Sequence, residues 1–399
     1  MRSRKLAPVA AGLTLLLAAA ACTGDSTTDD TGAPAPVASG EALSLKGTCP
    51  DTVVVQTDWF PESEYGNLYQ MLGSGYKIDK AKKLVRGPLV ASGQDTGVQL
   101  EIRTGGPAIG FQQVSAQMYA DKSITLGQVS TDEAIQNSVA QPTLAVVAPL
   151  EISPIMIMWD KDKHPDFNTI ADIGQTDTKI LYYSTDTYMQ YLLGAGLVRA
   201  SQLDGSYDGS PSRWVTSKGD IGQGGFATSE PYIVGNEIPG TKYPNTDLQL
   251  INDTGYPMYG QALTIRSEEK GTLTPCLQKL VPIIQRAQVD FITNPAETNK
   301  KVINIVTTFA DFWQYSTGMA DYAVKTMRDL GLVGNGPDQT LGNMQDERVK
   351  RMVDILTPIF AAQRKPVKEG LQASDLYTNE FIDDSISYDP SAFVSPSAG

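Results

Sequence analysis

Residues Val53 to Leu72, VVVQTDWFPESEYGNLYQML, compress a strand, a polar turn and a helix start into twenty positions, an order that leaves few folds open. Val53, Val54 and Val55 form a β-branched run suited to a strand buried on both faces, as in a parallel sheet. Asp58-Trp59-Phe60-Pro61-Glu62 interrupts any regular period, so the chain turns there. Pro61 suits the first turn of a helix, where its missing N–H is not needed, and Leu68, Met71 and Leu72 continue at helical spacing. Asp58, Trp59, Glu62, Tyr65 and Tyr69 are thereby gathered at the carboxyl end of a strand beside a helix start. In open α/β sheets this is where ligands bind.

The alternation continues along the chain. Val98 to Arg103 has period two and ends in Gly105-Gly106-Pro107, and Phe111 to Ala120 reads as a helix. Ser123 to Val129 is a further strand, after which Ser130-Thr131-Asp132-Glu133 opens a helix with a Ser or Thr cap. This βαβ rhythm predicts a mostly parallel sheet. Thr143 to Trp159 is a long apolar run broken by Pro149 and Pro154, suited to cross between lobes as a hinge. Ile180 to Tyr183 is a strand, Ser184 to Thr187 caps a helix through Leu197, and Gly219 to Glu230 is rich in turns. Tyr256 to Ile265 reads as the returning hinge strand, and Pro275 to Ile359 is helix-rich. The expectation is an α/β chain with lobe 1 over 48–150, lobe 2 over 151–257 and a helix-rich return to lobe 1 over 258–399. A length of 399 residues supports two lobes at roughly 150 residues per domain.

Arg2, Arg4 and Lys5 precede an apolar run from Leu6 to Ala21. Such a run suits a signal peptide over 1–21 better than a membrane span. Ala19-Ala20-Ala21-Cys22 resembles a bacterial lipobox, so lipid on Cys22 is expected to anchor an extracytoplasmic protein to the cell membrane. An ordinary signal peptide with an incidental cysteine is the alternative. Residues 22–47, rich in Thr, Asp, Gly, Ala and Pro, read as a flexible tether. With Cys22 assigned, Cys49 and Cys276 remain as an even pair in an oxidising compartment, expected to be bridged, with two buried free thiols as the alternative. The formal charge of −13 grows more negative without the basic leader, which disfavours a nucleic-acid partner.

Several of the 17 tyrosines adjoin Gly, Pro or acids rather than apolar runs. Tyr65, Tyr69, Tyr183, Tyr188, Tyr232 and Tyr259, with Trp59, can stack on a planar ligand. Asp58, Glu62 and Glu230 are the acids placed in a cleft. Gly106, and the Gly222-Gln223-Gly224-Gly225 run, allow close backbone approach. Neither glycine stretch is a phosphate loop, since GxxxxGK[ST] and a strict GxGxxG after a strand are absent. His164 is the only histidine, which removes most histidine-based metal sites and makes a Ser-His-Asp triad improbable. Ser267-Glu268-Glu269-Lys270 matches SxxK formally, but no SDN or KTG accompanies it and it reads as a helix cap.

DWFPESEYGNLYQ, followed by Gly105-Gly106-Pro107 and by SEPY at Ser229 to Tyr232, resembles the substrate-binding proteins of ABC importers. The branch it looks most like captures thiamine-pyrimidine precursors, with nitrate, sulfonate and riboflavin binders as relatives, and the likeness runs from Asp51 to Ala361. Many members carry His where this chain has Tyr65. The resemblance implies a type 2 periplasmic-binding-protein fold, two lobes joined by two hinge strands, which closes on a small planar, pyrimidine-like solute and docks a permease with its ATPase. It gives Glu230 a hydrogen bond to the ligand ring. The first lobe then supplies Trp59, Tyr65 and Ser130, the second Ser184, Tyr188 and Glu230, and Thr131 is a further ligand-binding candidate. A monomer with no metal, cofactor or catalytic residue is expected. The alternatives are an enzyme, because eukaryotic members of the pyrimidine branch are synthases, and a sensor that passes closure to a membrane receptor. The synthase reading lacks its Cys-rich loop and its His.

Overall fold

The computed structural model describes residues 26–28, 35–37 and 43–394. The expected leader over 1–21 and Cys22 lie outside them. Two sheets organise the chain. The larger uses β1 (Ser26–Thr28), β2 (Thr52–Gln56), β3 (Lys77–Asp79), β4 (Leu84–Ala91), β5 (Gln94–Arg103), β6 (Leu126–Val129), β7 (Thr143–Val147) and, after a long excursion, β13 (Ala262–Arg266). The smaller uses β8 (Ile155–Asp160), β9 (Ile180–Leu181), β10 (Leu203–Asp204), β11 (Gly222–Phe226) and β12 (Thr246–Leu250). Their orders are β1-β3-β4-β5-β2-β6-β13-β7 and β10-β9-β11-β8-β12.

β2 runs parallel to β5 and β6, and four of its five residues are buried, as its valine run requires. The larger sheet is nevertheless mixed rather than mostly parallel. β4 and β5 form a hairpin around Ser92 and Gly93, both at positive φ (47° and 75°), which is the backbone of a tight two-residue turn. β13 then pairs antiparallel with both β6 and β7.

The chain passes from β7 to β8 through residues 148–154 and returns from β12 to β13 through residues 251–261. The returning strand is shorter than expected, because Tyr256 to Gln261 are not in a strand and Gln261 takes a positive φ of 58°. The helix expected from Phe111 begins only at Val114, since Phe111 is left-handed (φ 57°). The helix expected through Leu197 ends at Gly194, where a turn with Gly196 at φ 69° stops it. The tether expected over 22–47 is folded at its end: Leu45 is fully buried and its N–H donates to Thr96 O. Ser26–Thr28 pairs with β3.

Cys49, just ahead of β2, is bridged to Cys276 in the helix Lys270–Thr293, with Cα atoms 4.6 Å apart. The helices of the return segment do not stay on the larger sheet. One core cluster joins Met156 and Met158 of β8 to Phe291, Val324 and Met327. Another joins Ile157 and Trp159 of β8 to Met352 and Leu356. Among the described residues no helix is long and apolar enough to cross a membrane.

Candidate functional site

A cleft of ≈ 220 Å³ opens where the carboxyl ends of β2, β6 and β9 and both crossings converge. Of the residues singled out from sequence, Asp58, Trp59, Glu62, Gly106, Ser130, Tyr183, Tyr188 and Glu230 line it. Trp59 lies over Gly106, whose φ is +58° and whose Cα is so close that a Cβ would come within 2.4 Å of the indole. The glycine is needed on both counts. The Trp59 ring meets Tyr183 from the other lobe at 5.5 Å and Phe111 at 6.1 Å, and Tyr183 packs on Tyr207 at 4.6 Å. Of these rings Trp59, Phe111 and Tyr183 line the cleft.

The remaining candidates do other work. Tyr65 is buried and its hydroxyl donates to Asp58 Oδ1 at 2.5 Å, so it orients an acid of the cleft rather than lining it. Tyr69 is buried and does not line the cleft. Thr131 fastens the second crossing, since its N–H donates to Tyr259 O (3.0 Å) and its Oγ1 accepts from Tyr259 N–H (3.1 Å). Tyr259 packs beneath the Arg348 guanidinium, 3.8 Å from the ring centroid. Tyr232 stacks on Tyr322 instead of facing the cleft, and Ser184 is exposed beside Gly205.

Glu230 is held by three donors of its own lobe. Tyr207 Oη–H reaches Oε1 (2.9 Å), while Phe226 N–H (2.7 Å) and Ser229 Oγ–H (2.8 Å) reach Oε2. Oε1 keeps a free lone pair for a ligand donor. Glu62 is 1% exposed and its Oε1 has no hydrogen-bond partner. Ser130 stands at the N-cap as expected, but its hydroxyl donates to Asp132 Oδ1 instead of accepting from the helix, while Tyr256 Oη–H donates to Oδ2 at 3.1 Å.

Three acids of the lining were not singled out: Asp132, Glu133 and Asp186. They sit in STDE and STDT, which the capping pattern assigns to helix starts. The signal available was their position at the ends of β6 and β9, the place where ligands bind in such sheets. Burial pushes Asp58 up to about 6 and Glu133 and Asp186 up to about 7, despite hydrogen bonds that favour their charged forms. Burial likewise raises Glu62 well above the carboxylate range, helped by Glu64 and Asp58, and it raises Asp132 and Glu230. Trp313 and Gln261 also line the cleft, from distant segments without any local signature.

No protein-family model matches the chain, and no curated protein matches it in sequence. Solved structures do. The alkanesulfonate-binding protein SsuA of Xanthomonas axonopodis pv. citri, bound to MOPS, aligns with a TM-score of 0.51 at 12% identity, over 82% of this chain and 99% of that one. A protein of Bordetella bronchiseptica RB50 aligns with a TM-score of 0.50 at 15% identity, over 83% and 96%. The periplasmic aliphatic sulphonate binding protein SsuA of Escherichia coli gives 0.47 at 10% identity, over 80% and 89%. At such identities the likeness is one of fold, and the chain has the periplasmic-binding-protein fold.

Proposed function

We propose that the chain is an extracytoplasmic solute-binding protein of an ABC importer, anchored at the membrane by lipid on Cys22, and that it captures a small planar heteroaromatic solute as a monomer. The observation that carries this reading is the cleft itself. It lies between two sheets joined by two crossings, and aromatic side chains from both sides, Trp59 and Tyr183, meet over it. A ligand that touches both sides is bound best when the sides are together, which is the differential affinity that closure requires. The alkanesulfonate-binding protein of Xanthomonas axonopodis pv. citri, which shares the fold, supports the binding role. A passive receptor needs orientation and exclusion of water rather than a nucleophile, and aromatic walls with a few fixed polar groups supply both.

The test is native mass spectrometry of the purified protein, followed by calorimetry with the co-purified solute and small-angle scattering with and without it. A bound small molecule and a smaller radius of gyration on saturation are expected. Absence of any solute together with an unchanged radius would remove the reading. Cys22→Ala should leave the protein unprocessed or release it to the medium; its normal retention at the membrane would remove the lipid anchor.

A further inference from the structure

We infer that the solute bound in this cleft is an organic cation, a protonated amine or amidine on a flat apolar body, and that sulfonates, nitrate and other anions are excluded. The inference rests on the solute-binding reading above and names the ligand's charge. Six carboxylates line the cleft, Asp58, Glu62, Asp132 and Glu133 from the segments around the larger sheet, Asp186 and Glu230 from the smaller. No lysine, arginine or histidine stands among the lining residues. Buried acids without a counter-charge are costly to ionise, and an anion in the cleft would add to that cost and find no basic partner, whereas a cation offsets it.

An independent observation points to a missing donor. Glu62 is 1% exposed, lines the cleft, and its Oε1 has no partner. An amidinium or ammonium group brings several N–H donors to such acceptors, and charge-assisted bonds of this kind are the strong ones. The flat faces of Trp59 and Tyr183 favour a cation as well, through the negative potential above their rings.

Two helix starts beside the cleft are already served by acids of this chain: Asp132 Oδ1 accepts from Glu133 N–H (2.9 Å) in the first turn of Thr131–Gln136, and Glu133 Oε1 accepts from Ser115 N–H (2.8 Å) in the first turn of Val114–Ala120. A metal ion fits less well than an organic cation. Among the described residues no three acidic, histidine or cysteine side chains are grouped to hold one, so the acids surround an extended ligand rather than a point.

The test is calorimetry at neutral pH with three probes of one shape, benzamidine, benzamide and benzenesulfonate, on the wild type and on Glu62→Gln, with thermal melts to show that the variant is folded. Benzamidine should bind at least tenfold more tightly than benzamide, and benzenesulfonate should give no measurable binding. Glu62→Gln should lose at least tenfold for benzamidine and leave benzamide within threefold. Tighter binding of benzenesulfonate, or equal binding of benzamidine and benzamide, would overturn the charge inference and leave the solute-binding reading standing. If none of the probes binds, the charge of the solute found by native mass spectrometry decides: a cation upholds the inference, and a neutral or anionic solute overturns it. No probe binding and no co-purified solute would take down both readings together.

Discussion

Trp59 and Tyr183 meet edge to face across the cleft, ring centroids 5.5 Å apart and planes at 60°, one from each side of the molecule. Gly209 packs against both, close enough that a Cβ would lie 3.0 Å from the indole and from the tyrosine hydroxyl. The pair therefore joins the two lobes directly, and a flat ligand beneath it loses its cover if either ring goes. Trp59→Ala is expected to weaken binding of the co-purified solute by about 1–3 kcal/mol, the usual cost of removing an aromatic anchor. Gly106→Val should act in the same direction by pushing the indole aside, since the φ of +58° and the 2.4 Å approach leave no room for a side chain. Calorimetry on both variants checks this, and unchanged affinities would place the ligand elsewhere.

Stability of the ligand-free protein should fall as pH rises, the reverse of what paired carboxylates produce. Burial raises Asp58 from 3.8 to about 6, Glu64 from 4.5 to about 7, Glu133 from 4.5 to about 7 and Asp186 from 3.8 to about 7. A carboxyl raised in the folded state holds its proton more tightly there than in the unfolded chain. The folded state is thus favoured below the unfolded pKa, and that advantage is lost between pH 4 and about 7. Melts of apo protein at pH 5 and pH 8 should differ by several degrees, with pH 5 the higher, and benzamidine should raise the melt more at pH 8 than at pH 5. A melting temperature that climbs steadily from pH 5 to pH 8 would contradict the cleft's charge balance.

The Cys49–Cys276 bridge closes a loop of 227 residues between the segment before β2 and the helix Lys270–Thr293. Cys49→Ser with Cys276→Ser should cost about 2–5 kcal/mol in chemical denaturation, by restoring freedom to the unfolded chain. Cys49 precedes β2 whereas the cleft opens at the carboxyl end of that strand, and neither cysteine lines it, so affinity for solute should hardly change. Two free thiols in a non-reducing peptide map of exported protein would show that the bridge does not form.

The sequence was informative where local chemistry decides structure and silent where distant segments meet. The valine run of β2 and the DWFP turn placed Asp58, Trp59 and Glu62 at a strand end, and all three line the cleft. Tyrosine identity alone did not separate cleft-lining rings from structural ones. Tyr65 supports Asp58, Tyr259 is pinned by Thr131 and Arg348, and Tyr232 packs on Tyr322, each through a partner that no spacing rule reveals. The hairpin turned at Ser92 and Gly93 stood outside the βαβ rhythm read from the sequence, so the larger sheet was expected to be more parallel than it is. Asp132 and Asp186 were hidden by the capping pattern around them, because the same short acidic motif that opens a helix here also lines the cleft.

Arg348 holds both crossings at once. Its Nη1 donates to Glu151 O (3.0 Å) and Glu151 Oε1 (2.7 Å) in the first crossing, its Nε to Pro257 O (3.4 Å) in the second, and its guanidinium covers the Tyr259 ring. Both partners of the ion pair are 15% exposed. Burial raises the Glu151 carboxyl even though Arg348 opposes the rise, so the pair sits where desolvation outweighs attraction. Arg348→Met would leave that carboxylate without its counter-charge and is expected to cost about 3 kcal/mol in denaturant unfolding. Arg348→Lys should recover only part of the loss, because an ammonium keeps the charge but cannot reach Glu151 and Pro257 with one planar fork or cover Tyr259 as fully. Adding Glu151→Gln to Arg348→Met should restore at least half of the stability, since the remaining cost is then packing rather than an unpaired charge. Arg348 does not line the cleft, so any change in benzamidine affinity in the rescued double mutant reports on the crossings and the closing equilibrium, not on lost ligand contacts. If the added Glu151→Gln restores nothing, the pair is not what ties the helix Asp346–Ala362 to the two crossings.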